Sequence, residues 1–463
     1  MSFGDGFIDA SLYELDEELK QVDELLSDPQ LLKPFEEAFD PSLGRPATAV
    51  GIYLRMMYLK FRWGLSYEEV EREVRERLPW RYFCRLSLMD SVPDATTLIK
   101  LNQRFGEQRI NGLNKRLVKQ LLKSRSIKPR RIRIDSTTLE AHISYPNDVG
   151  VIHQAVKTLT RTAASLGKKI TNHIRATKRA VFSWSQTAKA NPKERKEKGR
   201  KILKHVANLV AQTVEQSRKA LQTLQGSVSE RFDKLKQRFS EQIELAQTVV
   251  SQTEQKLQGK KSIAERIVSF HDPEARPIRK GKLNKAVEFG RTLQLIQDSS
   301  GVIVHYEIRK GNPSDRTELL SVLRQAKSTL GIKPTELAAD RGYYSAENVL
   351  ELTKAGIERV GIPKVGRLSK TERTHQRKTW FRQLQRFRCG IEASISMLKR
   401  KFGLGRVLAR GSTGTAIWTG LAILPTTCGS EHDRRRFPNG FFIPEPNSID
   451  SYRRKASQAV LFQ

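Results

Sequence analysis

The chain has 463 residues, with 83 Lys and Arg against 50 Asp and Glu, a formal charge of +33 and a pI of about 10.2. An excess of this size points to a polyanionic partner, nucleic acid above all, and the length allows roughly two or three domains with a proper core. Cys84, Cys389 and Cys428 share no metal-ligand spacing, which excludes a disulfide scaffold and fits a reducing compartment, while no run nears the ~18 apolar residues of a membrane span.

The N-terminal stretch MSFGDGFIDASLYELDEELK lacks a basic region and an apolar core, so it is not read as a signal peptide, and a cytoplasmic, nucleoid-associated protein is expected. Leu12, Leu15, Leu19, Val22, Leu25 and Leu26 recur at helical spacing, predicting helix within the acidic residues 1–40. PSLGRP (41–46) is a break. The stretch from Thr48 to Leu86 predicts two helices around Gly64, and Ser66 with Glu69 forms a capping box that starts the second. PDATT (93–97) opens a further helix through Phe105. Helix, glycine turn and helix outline a helix-turn-helix, making residues 45–105 a candidate for DNA recognition. A plain bundle with Tyr53, Met56, Met57, Leu59 and Phe61 as core fits the same pattern. Residues 1–125 are expected to form an all-helical, DNA-binding domain.

RIRIDSTTLEAH (131–142) alternates with period two and predicts a strand that presents Asp135 at its tip. Residues 152–260 then lack strand signals. Asn191-Pro192 and Gly226, Ser227, Glu230 punctuate them into three long helices, about 152–189, 192–225 and 228–257. These helices are equally compatible with packing or dimerisation and with DNA contact. The runs KERKEKGRK (193–201) and KKITNHIRATKR (168–179) would suit phosphates, although charge runs are usually solvated faces. KAVEFGRTLQLIQ (285–297), DSSG (298–301) and VIVHYEIR (302–309) predict a hairpin. A helix from Ser314 or Asp315 to about Ser328 follows, then a PTELAAD strand ending at Asp340. Next come a helix over 345–355, a strand over 359–363 and a helix bearing Glu392. The order predicts an α/β core with a mixed sheet flanked by helices.

Two aspartates on strands and one glutamate on a helix can hold a pair of divalent ions for phosphoryl transfer, a chemistry that calls for hard oxygen ligands. Each carboxylate alone is more often a cap or turn residue; the joint pattern changes that. Arg388, Glu392 and Lys399 stand at i, i+4 and i+11 on one helix face, setting a carboxylate between two cations. An ordinary salt-bridged surface helix is the alternative. Upstream, the basic stretch 364–388, which includes Lys378 and Arg382, interleaves Trp380, Phe381 and Phe387, a pattern suited to a DNA backbone and a stacked base. Gly361 and Gly366 have Walker-like spacing, but Arg367-Leu368 follows where Lys-Ser/Thr is required.

These residues carry a resemblance. GRPATAVGIYLRMMYLK, IRIDSTTLEAH, GNPSDRTELL, AADRGYYS and RCGIEASISMLKRKFGLGR together resemble prokaryotic insertion-sequence transposases of the DDE class over about residues 40–420. The resemblance implies an RNase H-like catalytic core over 126–151 and 261–425, with the 152–260 helices as an insertion. It implies Asp135, Asp340 and Glu392 as the catalytic, metal-binding triad, separated by 205 and 52 residues. It implies two Mg²⁺ ions, with Mn²⁺ able to substitute, and matches Arg388 and Lys399 to the cations flanking the glutamate; Arg341, Arg382 and Lys378 are expected as further DNA contacts. It further implies cleavage at transposon ends, strand transfer into target DNA and at least a dimer on DNA. Where relatives carry a tyrosine three residues before the arginine, this chain has Gln385, which receives no role. Residues 426–463 lack helical period and suggest a frameshift near Leu424–Pro425. A decayed or domesticated transposase that only binds DNA is the alternative reading.

Overall fold

The structure is a computed structural model that describes residues 9–40, 48–143, 147–224, 229–260, 262–279, 287–311 and 313–429. The break at 41–46 and the suspected tail from residue 430 onward lie outside these.

The N-terminal helices are α1 (Glu17–Leu26), α2 (Pro29–Glu36), α3 (Val50–Trp63), α4 (Tyr67–Glu76), α5 (Leu78–Phe83) and α6 (Ala95–Lys123). The first acidic segment is thus more than one helix, because Asp28 caps a new start and Pro29 takes its first position. The Ser66–Glu69 capping box forms as expected. α6 passes Phe105, turning at Gly106 (φ +68°) and running on to Lys123. The helix, glycine turn and helix of the expected outline form as α3, Gly64 and α4. α3 is buried from Tyr53 to Phe61 without interruption, so it is a core helix. The outer face of α4 carries Glu68, Glu69 and Glu76 beside Arg72 and Arg75, poor chemistry for phosphates.

β1 (Arg131–Glu140) leads into the insertion: α7 (Asp148–Ser165), α8 (Ile174–Gln186), α9 (Pro192–Gln222) and α10 (Glu230–Leu257). Four helices replace the expected three. Gly167, at φ +72°, closes α7 in a Schellman motif, its N–H reaching Ala164 O and that of Lys168 reaching Ala163 O. The insertion has its own apolar core, built from Ile152, Leu159, Val210, Phe239 and Ile243 among others.

The core resumes with β2 (Arg276–Arg279), β3 (Val287–Asp298) and β4 (Ile303–Arg309), then α11 (Asp315–Leu330), β5 (Glu336–Ala338), α12 (Ala346–Lys354) and β6 (Arg359–Gly361). It ends with α13 (Lys370–Arg377), α14 (Thr379–Arg400) and α15 (Gly411–Cys428). β2 was not anticipated; Pro277 confines it to an edge, where one ladder bond can be spared. The sheet runs β2-β3-β1-β5-β6, with β4 also on β3. β1 is antiparallel to β3 and parallel to β5, and β5 is parallel to β6. This mixed, helix-flanked sheet is the expected RNase H-like arrangement.

Two further features bear on how the parts of the chain meet. The helical N-terminal part shares one core with a face of the sheet: Tyr53, Phe61 and Leu113 cluster with Leu293, Leu295, Ile391 and Trp418. A glycine makes that seam possible, since a Cβ at Gly420 of α15 would lie 2.5 Å from Ile110 on α6. Helix also continues past Leu424 through Pro425 to Cys428, sustained by burial of Thr427 and Cys428.

Candidate active site

Asp135 lies inside β1, not at its tip, opposite Leu295 of β3. The strand is prolonged on the β3 side, where Gly290 lets the backbones close in; a Cβ there would meet Leu139 O at 1.8 Å. On the other side the ladder stops early. The pairs run Arg131–Glu336, Ile132–Leu337 and Arg133–Ala338 and go no further. Two residues beyond the last pair stand Asp135 on the β1 side and Asp340 on the β5 side. The parallel register therefore brings these carboxylates to neighbouring positions at the carboxyl end of β5.

Each aspartate is held by backbone. Asp135 Oδ1 accepts from Ser136 N at 2.7 Å, and Asp340 Oδ1 accepts from Gly342 N at 2.8 Å. Burial, helped by Asp340 and Asp315 and opposed by the Ser136 N–H and Arg388, pushes the Asp135 carboxyl up to about 6.

α14 lies against β1 through a buried arginine. Arg133 is 1% exposed, and its Nη1 donates to Phe387 O at 2.7 Å while its Nε donates to Gln297 Oε1 at 2.7 Å. The guanidinium also sits 4.7 Å from the Phe387 ring centroid. Burial lowers its pKa to about 10. Gly390 leaves the room it needs, because a Cβ there would fall 1.9 Å from Arg133 Nη1. Gln385 has a part as well, donating to Gly361 O at 2.6 Å and Ala339 O at 3.4 Å. It ties α14 to the strand ends beside Asp340.

Seated this way, α14 turns Arg388 toward the aspartates. Arg388 Nη2 donates to Glu392 Oε1 at 2.8 Å, and Nη1 lies 3.9 Å from Asp135 Oδ2. Burial opposes its charge, but Glu392 and Asp135 outweigh that and keep the guanidinium protonated. Glu392 is thus joined to the aspartates through Arg388, and its side chain is 60% exposed. Among the described residues no group of three His, Cys, Asp or Glu side chains is close enough to hold a metal ion. The adjacent Asp135 and Asp340 offer hard oxygens in a setting where like charges already press on Asp135, which fits a divalent cation. The contact with Arg388 engages one oxygen of Glu392, Oε1.

Asp315, read from sequence as a helix cap, belongs to the same neighbourhood. Its Oδ2 accepts from Ser136 Oγ at 3.1 Å and its Oδ1 from Gln294 Nε2 at 2.7 Å. Gln294 Oε1 in turn accepts from Tyr343 Oη at 2.6 Å. Burial, and then Asp315, Asp135 and Asp340, hold the Tyr343 phenol well above its usual pKa. The chain of bonds links the strand of Asp135 to the turn after Asp340. The motif GNPSD hinted at it only by placing a carboxylate at a helix start.

The remaining candidates spread out. Arg341, Lys378 and Arg382 are exposed, the first directly after Asp340 and the others at the start of α14. Lys399 stands two turns past Glu392, roughly 10 Å along the axis. It lines a cavity of about 780 Å³ with Lys60, Phe402, Arg406 and Trp418. The aromatic residues proposed for base stacking are occupied. Trp380 packs on His375 and Phe381, and Phe387 lies under Arg131 and Arg133.

Comparison with known proteins gives the family. Residues 8–104 match the family described as "Transposase domain (DUF772)" and residues 251–435 the family described as "Transposase DDE domain". Asp340 and Glu392 fall inside the second match, whereas Asp135 lies between the two and is placed by strand register. The "Uncharacterized protein ORF8 in nfe locus" of Rhizobium meliloti is 30% identical over 165 residues, 34% of this chain and 80% of that protein. No solved structure matches. The chain belongs to the insertion-sequence transposases of the DDE class.

Proposed function

We propose that this transposase cuts DNA at the ends of its element in the presence of a divalent cation, Mg²⁺ by preference, and joins the freed end to target DNA. The observation that carries the reading is the register of β1 and β5, which sets Asp135 beside Asp340, with Arg388 bridging Asp135 to Glu392. Asp135, Asp340 and Glu392 would hold the cation, which when bound lowers the charge barrier at the phosphate and activates water. Glu392 is freed for this when the phosphate takes over Arg388, an exchange of one anion for another at the same guanidinium. Arg388, Arg341, Lys378 and Arg382 hold the strand by its phosphates. In the first step a water oxygen bonds to phosphorus and the P–O3′ bond breaks, leaving a 3′-hydroxyl and a 5′-phosphate. In the second the 3′-oxygen bonds to a target phosphorus and displaces a target 3′-hydroxyl. Asp135 must be ionised to serve, and a bound cation would favour that form against the burial that opposes it.

The test is an end-labelled duplex carrying the element boundary, incubated with Mg²⁺ and either the parent chain or Asp340→Ala. Nicking at the boundary by the parent and not by the variant is expected. Specific binding without nicking by the parent would sink the catalytic reading and leave a DNA-binding protein. Both transposon-end duplex and target duplex are substrates in this proposal, and two copies of the chain act together on them.

A further inference from the structure

We propose that α8 of the insertion, with the seam beside it, is a second DNA surface that grips the backbone of the duplex flanking the cut. The inference rests on the transposase reading and assigns the insertion its part in it.

Charge of one sign is concentrated here. Residues 149–193 contain nine Lys and Arg and no Asp or Glu. On α9 and α10 cations alternate with carboxylates, and four exposed lysines are matched one turn away: Lys198 with Glu194, Lys201 with Glu197, Lys219 with Glu215, Lys234 with Glu230. Those helices show the ordinary solvated pattern. On α8, Arg175, Lys178 and Arg179 have no carboxylate partner among the described residues. They fall at i, i+3 and i+4, and Phe182 at i+7 completes the same face. All four are exposed, Phe182 by 66%. The opposite face, with Thr177 and Ala180, is buried in the bundle. A row of unpaired cations ending in an exposed ring suits phosphates and the apolar edge of a sugar or groove. A membrane surface would need a broad apolar face, and the apolar side of α8 is already used.

The face does not stand alone. Val181 of α8 lines a cavity of about 420 Å³ at the seam with the core, together with His153, His271, Arg406 and Arg410. Burial, and then Arg410, Lys157 and Arg238, depress His271; burial, and then Lys157 and Lys178, depress His153. Cations thus stand on both sides of the seam, and Asp272, which also lines it, is bound to Arg291. Arg406 and Arg410 belong to the loop after α14, and that loop is clamped to the end of β1 by Val407 N bonding Glu140 O at 3.0 Å. From Asp135 to Glu140 is five residues of strand, about 17 Å. At about 3.4 Å per base pair, duplex held at the carboxylates covers that distance in roughly five pairs.

The experiment uses the full chain and a fluorescent duplex carrying the element end, with affinity measured across a salt series. The triple variant Arg175→Gln, Lys178→Gln, Arg179→Gln should lower the slope of log affinity against log salt by roughly 2 to 3, at ~0.9 per phosphate contact. The comparison triple Lys201→Gln, Lys219→Gln, Lys234→Gln removes the same charge from paired positions and should change it by less than about one. Phe182→Ala should weaken binding several-fold with the slope unchanged. Equal slope changes in the two triples would reduce the effect to net charge and overturn the proposal. So would an unchanged slope in the α8 triple, or a loss confined to anionic lipid vesicles. If the parent nicks DNA while the α8 slope stays put, only this inference falls. If the slope shifts while the parent never nicks, the surface stands and the cleavage reading falls.

Discussion

Gly390→Ala separates helix propensity from packing by sign. On propensity alone, alanine in the middle of α14 should stabilise the protein by roughly 1 kcal/mol. The structure reverses this. The added Cβ would lie 1.9 Å from Arg133 Nη1, whereas an ordinary contact is ~3.5 Å. Either α14 lifts from β1 or the guanidinium withdraws from Phe387 O. Overpacking of this kind costs about 1–3 kcal/mol. Losing a buried bond from a charged donor costs about 1.5–3 kcal/mol more. After the propensity gain the net destabilisation is roughly 1.5–5 kcal/mol. The assay is the urea midpoint at constant m-value, with boundary nicking measured on the same preparation. Both should fall, nicking further than stability, because lifting α14 draws Arg388 and Glu392 away from Asp135. A variant as stable as the parent, or more so, would refute the seating of α14 on Arg133.

Asp135→Asn should uncouple stability from activity. The carboxyl is raised from 3.8 to about 6, so its ionised form is disfavoured in the fold. The stability associated with its proton is present below about 3.8 and is lost as pH rises through about 6. In chelator, the variant should therefore exceed the parent by up to roughly 3 kcal/mol at pH 8, converge with it near pH 4, and never nick DNA. A variant less stable than the parent at high pH would contradict the burial assigned to Asp135. Asp315→Asn removes the anion that receives Ser136 Oγ and Gln294 Nε2. It should cost about 1.5–3 kcal/mol in urea unfolding and reduce Mn²⁺ affinity roughly tenfold without abolishing nicking. Unchanged stability would show that the Tyr343–Gln294–Asp315–Ser136 chain holds nothing in place.

What was legible in the sequence was what local patterning controls. Period-two alternation located β1, β3 and β4, and the Ser66–Glu69 pair located the start of α4. The resemblance rested on short motifs that bracket Asp135, Asp340 and Glu392. The misses share a cause, since each depends on what a residue meets from far along the chain. Asp135 reads as a strand tip because Ser136, Thr137 and Thr138 are polar, yet β3 pairs with β1 as far as Glu140. The α3–α4 outline gives no sign that α15, about 350 residues later, packs on α3. Arg133 reads as the outward residue of an alternating strand and is instead the buried clamp for α14. Asp315 and Gln385 look ordinary because their partners lie on other elements. The break at Gly167 was readable, as a glycine at the end of an apolar stripe.

The claim at the centre is that Asp135, Asp340 and Glu392 act as one cation site despite the Arg388–Glu392 pair. The most direct measurement is a Mn²⁺ titration, read by electron paramagnetic resonance, of the full chain bound to element-end duplex, for the parent, Asp135→Asn, Asp340→Asn and Glu392→Gln. Tight binding by the parent and a loss of at least about tenfold in each variant is the expected result. Parent-like binding by Glu392→Gln would contradict it, leaving Glu392 as no more than the partner of Arg388.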